Sequence, residues 1–225
     1  MGRDGEYREE SEPVLKEHLI NVRVNEQLTM KLICTPQFLS ELILGRLLTE
    51  GMICSVNDVK QIYICETGSE ASILLKNSSD LAADAQIHPV TPIPWKASHV
   101  FALADCFQED MPLHKQTRST HLCFLAQEGK LIFRCEDIGR HNALDKAIGY
   151  ALLHGIDLTG CMVCSSGRIP TDMVIKAIRA RIPVLVSKAA PSREAVNLAE
   201  QYALTLICAA RQDRMKLFAG TPPVS

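Results

Sequence analysis

The chain has 225 residues, 47% of them hydrophobic and 22% charged, with 24 basic and 26 acidic side chains and a formal net charge of −2. This balance excludes a disordered tail protein, a collagen-like repeat and a coiled-coil rod, and it gives no bulk electrostatic case for a nucleic-acid partner. The charged N-terminal stretch has no apolar signal core, no apolar run reaches membrane-spanning length, and the nine cysteines are an odd set. The expectation is a cytoplasmic protein with free thiols and no membrane contact.

In chain order, residues 1–18 read as a mobile tail, 19–97 as an N-terminal α+β lobe with a linker, and 98–225 as an α/β domain. Leu19–Val24 alternates as a strand, turns at Asn25-Glu26 and returns through Leu28–Cys34. Thr35 as N-cap and Pro36 at the first helical position predict a helix carrying Phe38, Leu39, Leu42, Ile43 and Leu47, closed by Gly51. Thr35→Ala is then expected to cost about 1 kcal/mol. Val59–Cys65 and Ala71–Lys76 read as a strand pair around Thr67-Gly68-Ser69. The stretch from Asn77 to Ser98 holds three prolines and the sole tryptophan, Trp95, and reads as a linker. Ser98–Asp110 reads as a helix and Met111–Ser119 as irregular.

From His121 the pattern changes. Two apolar runs flank Glu128-Gly129 as a hairpin. Strands and helices then alternate: a helix capped by Asn142, a strand Cys161–Ser165, a helix from Thr171, a strand Val184–Ser187, a helix from Pro191 and strands at Leu204–Cys208 and Met215–Phe218. This predicts an α/β fold, a layered sheet with helices on both faces. Most cysteines sit in apolar runs (KLIC, QIYIC, LTLIC) and read as small hydrophobes. Cys161 and Cys164 are three apart on a strand, so they point to opposite faces and cannot share a metal. No zinc-deaminase signature, nucleophile elbow or P-loop is present.

In an open α/β sheet, ligands bind beyond the carboxyl ends of the parallel strands. Three strand-to-helix junctions fall there: Glu136–Asn142, Ser165–Thr171 and Ser187–Arg193. Each opens a helix and carries a cation, so Arg140, Arg168, Lys188 and Arg193 form an expected anion site, with Gly139 and Gly167 permitting close backbone approach. His141 beside Asp137 reads as a proton carrier or a hydrogen-bonded turn residue.

The run Glu136-Asp137-Ile138-Gly139-Arg140-His141-Asn142-Ala143-Leu144-Asp145-Lys146 closely resembles the signature of the FdhD/NarQ family of formate dehydrogenase accessory proteins. Thr49-Glu50-Gly51, Ser166-Gly167-Arg168 and Ala190-Pro191-Ser192 agree with further family blocks in the same order. The resemblance implies a cytidine-deaminase-like C-terminal domain without zinc or any intrinsic metal, and a homodimer. It implies a sulfur carrier that accepts sulfur from a cysteine desulfurase and supports sulfuration of the molybdenum cofactor (bis-molybdopterin guanine dinucleotide) before that cofactor enters formate dehydrogenase. Cofactor-binding positions are then Arg140, His141, Asn142, Gly167, Arg168 and Lys188, with the turn Ala209-Ala210-Arg211-Gln212-Asp213-Arg214. The family's Cys-Gly-x-Cys-Gly motif has no counterpart between Lys76 and Ser98. A second reading therefore stands beside the first, a cofactor-binding chaperone without sulfur transfer. A substitute thiol must be partly exposed in positive surroundings; Cys123 and Cys164 are the candidates by position.

Overall fold

The computed structural model describes residues 11–76, 87–107 and 111–224. Two sheets form the frame: a four-stranded sheet in the order β2-β1-β4-β3 and a six-stranded sheet in the order β10-β9-β8-β7-β5-β6. The first contains β1 (His18–Val24), β2 (Gln27–Cys34), β3 (Val59–Ile64) and β4 (Glu70–Leu75). Asn25 and Glu26 both take positive φ (48° and 69°), which matches the twist of a tight hairpin. The second sheet contains β5 (His121–Gln127), β6 (Lys130–Asp137), β7 (Cys161–Ser165), β8 (Val184–Ser187), β9 (Thr205–Cys208) and β10 (Lys216–Ala219).

The helices are α1 (Leu39–Thr49), α2 (Ala97–Cys106), α3 (Pro112–Thr117), α4 (Arg140–Leu153), α5 (Thr171–Arg179) and α6 (Arg193–Gln201). Residues of α4, α5 and α6 pack on one face of the six-stranded sheet through Ala143, Leu144, Met173, Val174 and Ala195. Residues of α2 cover the other face, where Val100 and Leu103 meet Phe124, Cys164 and Val186. Along β7 the side chains alternate strictly between these cores, so Cys161 and Cys164 do face opposite ways. The first core also contains Ile20, Val22, Leu42 and Leu47, so it runs without a break from one sheet to the other.

Helices α1 and α4 touch backbone to backbone. A Cβ on Gly45 would collide with the Asp145 carbonyl, and one on Gly149 with the Glu41 carbonyl. Two glycines facing each other across a helix pair permit this approach, and larger residues would force the helices apart.

Four expectations need correction. Thr35 is not a helix cap: α1 begins at Leu39 behind Phe38, which is in the left-handed region. Thr35 is fully buried and spends its groups on β6 instead, donating from its backbone N to Asp137 Oδ2 (3.0 Å) and from Oγ1 to the Glu136 carbonyl (3.1 Å). Asn142 does not cap α4, which starts behind Gly139 with no side-chain cap. The stretch read as irregular after Met111 contains α3, whose first turn is held by a distant acceptor, Glu136. The last helix starts two residues later than Pro191, with Ser192 Oγ accepting from Ala195 N (3.1 Å).

Candidate functional site

Strands β7, β8 and β9 run parallel and end side by side. Because β5 is antiparallel to both β6 and β7, β6 ends on the same edge. The turns leaving this edge are tied directly to one another. Lys188 N donates to the Ser165 carbonyl (3.0 Å), Ala210 N to Ser187 O (3.0 Å), Ala209 N to Ala189 O (3.0 Å) and Ile169 N to Ala190 O (3.1 Å). Ser187 Oγ donates to the Gly167 carbonyl (2.7 Å) and accepts from Ala189 N (2.9 Å). The Arg211 guanidinium donates to the Lys188 and Ala210 carbonyls. Arg211 N closes the last turn onto the Arg214 carbonyl (2.8 Å), with Gln212 and Asp213 exposed at its tip.

The structure thus brings Gly167, Lys188, Ala209, Ala210 and Arg211 together. The side chains of Arg168, Lys188, Arg211 and Arg214 are exposed and form no ion pair among the described residues. Arg193 is exposed at the first residue of α6. The Lys188 ammonium lies 5.8 Å from the centre of the Phe107 ring, a separation that permits cation–π attraction. Gly167 has a different use from the expected one. The close neighbour is Arg140, whose Cβ and Cδ would lie 2.8 and 2.9 Å from a side chain at that position. Arg140 Nε is buried there without a hydrogen-bond partner among the described residues.

The signature run divides between this edge and the interior. Asp137, Asp145 and Lys146 are fully buried and Asn142 nearly so. Lys146 Nζ lies 2.6 Å from Asp137 Oδ2 and donates to Thr35 Oγ1 (2.7 Å). Asp145 meets Arg46 Nε (2.6 Å) and Lys176 Nζ (3.0 Å) and accepts from Thr49 Oγ1 (2.8 Å). Asn142 bridges inward, donating to the Ile33 carbonyl (2.7 Å) and Asp137 Oδ1 (2.9 Å) while accepting from Arg46 (2.9 Å). These contacts place Asn142 in a buried network, not at a ligand surface. Glu136 accepts from the N–H groups of Leu113 (2.9 Å) and His114 (2.7 Å) and from the Thr120 hydroxyl (2.9 Å).

His141 does not pair with Asp137. Its Nε2 lies 3.3 Å from Asp172 Oδ2 on α5. Burial lowers its pKa, Asp172 opposes that shift and Arg140 adds to it. His121, opposite Asp137 in the sheet register, is likewise lowered by burial first and by Arg140 second. Both imidazoles are therefore neutral at neutral pH.

The two thiols expected by position are inaccessible. Cys123 faces the α4-side core and Cys164 the α2-side core, and burial pushes both thiols far above their ordinary pKa. Sequence reasoning passed over Cys65. It is part-exposed just past β3; its Sγ accepts from Glu70 N (3.2 Å) and is hydrogen-bonded to Thr67 Oγ1 (3.2 Å), with Ser69 Oγ at 3.7 Å. The Thr67 hydroxyl first, then the Glu70 N–H and the Ser69 hydroxyl, lower its pKa to about 6. The signal lay in the two hydroxyl residues just downstream, where an apolar-run reading saw only QIYIC.

The hairpin bearing Cys65 lies at the strand-tip end of the molecule. The Gly68 carbonyl in that hairpin accepts from His18 Nε2 (2.8 Å), and the missing side chain leaves room for Leu39 at the start of α1. The preceding residues reach Asp137 at the tip of β6 through Thr35. Among the described residues there is no cluster of three metal-ligating side chains, and no helix is long and apolar enough to cross a membrane.

A two-sheet α/β frame with clustered cationic turns defines a class with a solved relative. The crystal structure of a protein from Desulfotalea psychrophila, described as a formate dehydrogenase accessory protein, matches with a TM-score of 0.85 at 27% identity, covering 97% of this chain and 93% of that one. The FdhD/NarQ family pattern matches residues 15–86 and 75–224. A protein of Bacillus pumilus (strain SAFR-032) named sulfur carrier protein FdhD is 30% identical over 240 residues, spanning 96% of this chain and 92% of its own. One of the same name from Methanothermobacter thermautotrophicus is 28% identical over 232 residues, spanning 96% and 93%. The chain belongs to the FdhD/NarQ family.

Proposed function

We propose that this chain is an accessory protein for a formate dehydrogenase that binds the guanylated molybdenum cofactor at the strand-tip edge and supports its sulfuration. The observation that carries this reading is the set of exposed, unneutralised cations Arg168, Lys188, Arg211 and Arg214 on turns hydrogen-bonded to one another. None of the four is neutralised by a carboxylate among the described residues, and the phosphates of a nucleotide supply the charge they lack.

Sulfur transfer requires an accessible thiolate, and Cys65 meets that requirement where Cys123 and Cys164 do not. In the reaction, the Cys65 thiolate attacks the outer sulfur of a protein persulfide on a cysteine desulfurase. The donor S–S bond breaks, the donor cysteine leaves as a thiolate, and the new S–S bond forms on Cys65 without net oxidation.

Two measurements test the reading. GDP, standing in for the nucleotide half of the cofactor, is expected to bind the wild type and to bind Arg168→Ala and Lys188→Ala about tenfold or more weakly, as loss of a charge-assisted hydrogen bond requires. Equal binding by all three sinks the cofactor site. Intact mass after incubation with a desulfurase and cysteine is expected to show one added sulfur on the wild type and none on Cys65→Ser. An unmodified wild type that still binds GDP favours the second reading, a cofactor-binding chaperone.

A further inference from the structure

At the opposite end of α1 from the Cys65 hairpin lies a hollow of about 290 Å³. It opens where the C-terminal ends of α1 and α5 converge, at the other edge of the six-stranded sheet from the cationic turns. Its polar lining includes Arg179, Arg181, His88 and the thiol residue Cys54, over an apolar floor that includes Ile53 and Ile178. Among the described residues no acidic side chain lines it.

The two arginines are not consumed by the fold. Arg179 Nη1 donates to the Thr49 carbonyl (2.8 Å), a contact expected between a cation and the last turn of a helix. Its Nε is buried without a hydrogen-bond partner among the described residues. Gly51 stands over this guanidinium, and a Cβ there would lie 3.5 Å from Cζ and Nη1. Arg181 is exposed, with no ion pair or side-chain hydrogen bond among the described residues. It occupies the residue just past α5 at a φ of +57°, a conformation in which glycine is the relaxed choice. Two carboxylates bonded to lining residues are occupied: Asp58 accepts from the N–H groups of Cys54 (2.7 Å) and Ser55 (2.8 Å), and Asp157 from the N–H (3.0 Å) and hydroxyl (2.8 Å) of Thr159.

We propose that this hollow is a second ligand site, for a small molecule carrying a phosphate or similar oxyanion on an apolar body. Arg179 and Arg181, the two cations of the lining, take the anion through charge-assisted hydrogen bonds. The apolar floor excludes a bare ion as the natural occupant, because an inorganic anion leaves that surface wet. At this volume the hollow holds a fragment-sized ligand, at the low end of the usual range for binding pockets. The site is independent of the strand-tip reading, since it shares no residue with it.

Cys54 is exposed on the rim and reports occupancy directly. Treat the whole protein with iodoacetamide and follow the Cys54 and Cys65 peptides by mass, with phenyl phosphate or inorganic phosphate present. Phenyl phosphate is expected to slow Cys54 alkylation several-fold and to leave Cys65 unchanged. Inorganic phosphate is expected to need about ten times the concentration for the same protection, because it buries no apolar surface. Arg181→Ala, at an exposed position, is expected to keep the wild-type melting temperature and lose the protection. The proposal is overturned if neither probe protects Cys54, or if protection survives in Arg181→Ala. Equal potency of the two phosphates overturns the apolar body.

Discussion

The eleven residues from Glu136 to Lys146 and the turns after β7, β8 and β9 carry similar numbers of charges, yet they use them oppositely. In the first region Asp137, Asp145 and Lys146 are fully buried and paired, tying β6, α1, α4 and α5 into one unit. In the second region Arg168, Lys188, Arg211 and Arg214 face solvent with no carboxylate partner among the described residues. A charge in the interior must be matched by the protein itself, because desolvation costs several kcal/mol. A charge left unmatched at a surface of ordered turns is available to a ligand. The family signature is therefore largely a structural lock, and the turns around it, which the lock holds in position, are the surface proposed above to bind the cofactor.

The sharpest way to break this contrast is Lys146→Met. It leaves the Asp137 carboxylate buried without its counter-charge and is expected to cost about 3–5 kcal/mol in urea unfolding. Asp137→Asn combined with Lys146→Met is expected to recover part of that loss, because no bare charge remains. A single variant as stable as wild type removes the lock.

Gly149→Ala is expected to cost about 1–3 kcal/mol, since its Cβ meets the Glu41 carbonyl and α1 must move away from α4. Thr35→Ala is expected to cost more than the ~1 kcal/mol of a lost helix cap, because it strips a hydroxyl partner from both Lys146 and Asp137. Both are read from thermal or denaturant midpoints.

At the surface, Arg168→Ala is expected to change stability by less than about 0.5 kcal/mol while weakening GDP binding. A large stability loss there would erase the distinction between the regions.

The smallest effect is chemical. The Cys65 thiol is deprotonated above about pH 6 and protonated below it, so its alkylation rate rises as pH increases through that value. Thr67→Val removes the largest cause of the shift, and the midpoint is expected to move up toward the ordinary thiol value of 9.0. A midpoint unchanged in the variant assigns the shift to another group.

Much of the fold was legible along the chain. Alternation marked β1, apolar runs set off by turn residues marked β2 to β9, and the opposed directions of Cys161 and Cys164 follow from strand geometry alone. The boundary of α1 was misread for a physical reason. Thr35-Pro36 has the chemistry of a helix start, but the Thr35 hydroxyl finds stronger partners a hundred residues away at Glu136 and Asp137. The short helix α3 was missed because its cap is the Glu136 carboxylate from another strand, which no local pattern contains.

The amino-acid sequence by itself determined the strand and helix periods, the presence of basic helix starts and the signature that marks the family. These depend on neighbours a few residues apart, where side-chain spacing and backbone geometry are coupled. Only the tertiary structure decided which charges turn inward, which thiol stays at the surface and which glycine makes room for a helix instead of a ligand. Those outcomes depend on burial and on partners distant in the chain, and burial sets the cost of every unpaired charge.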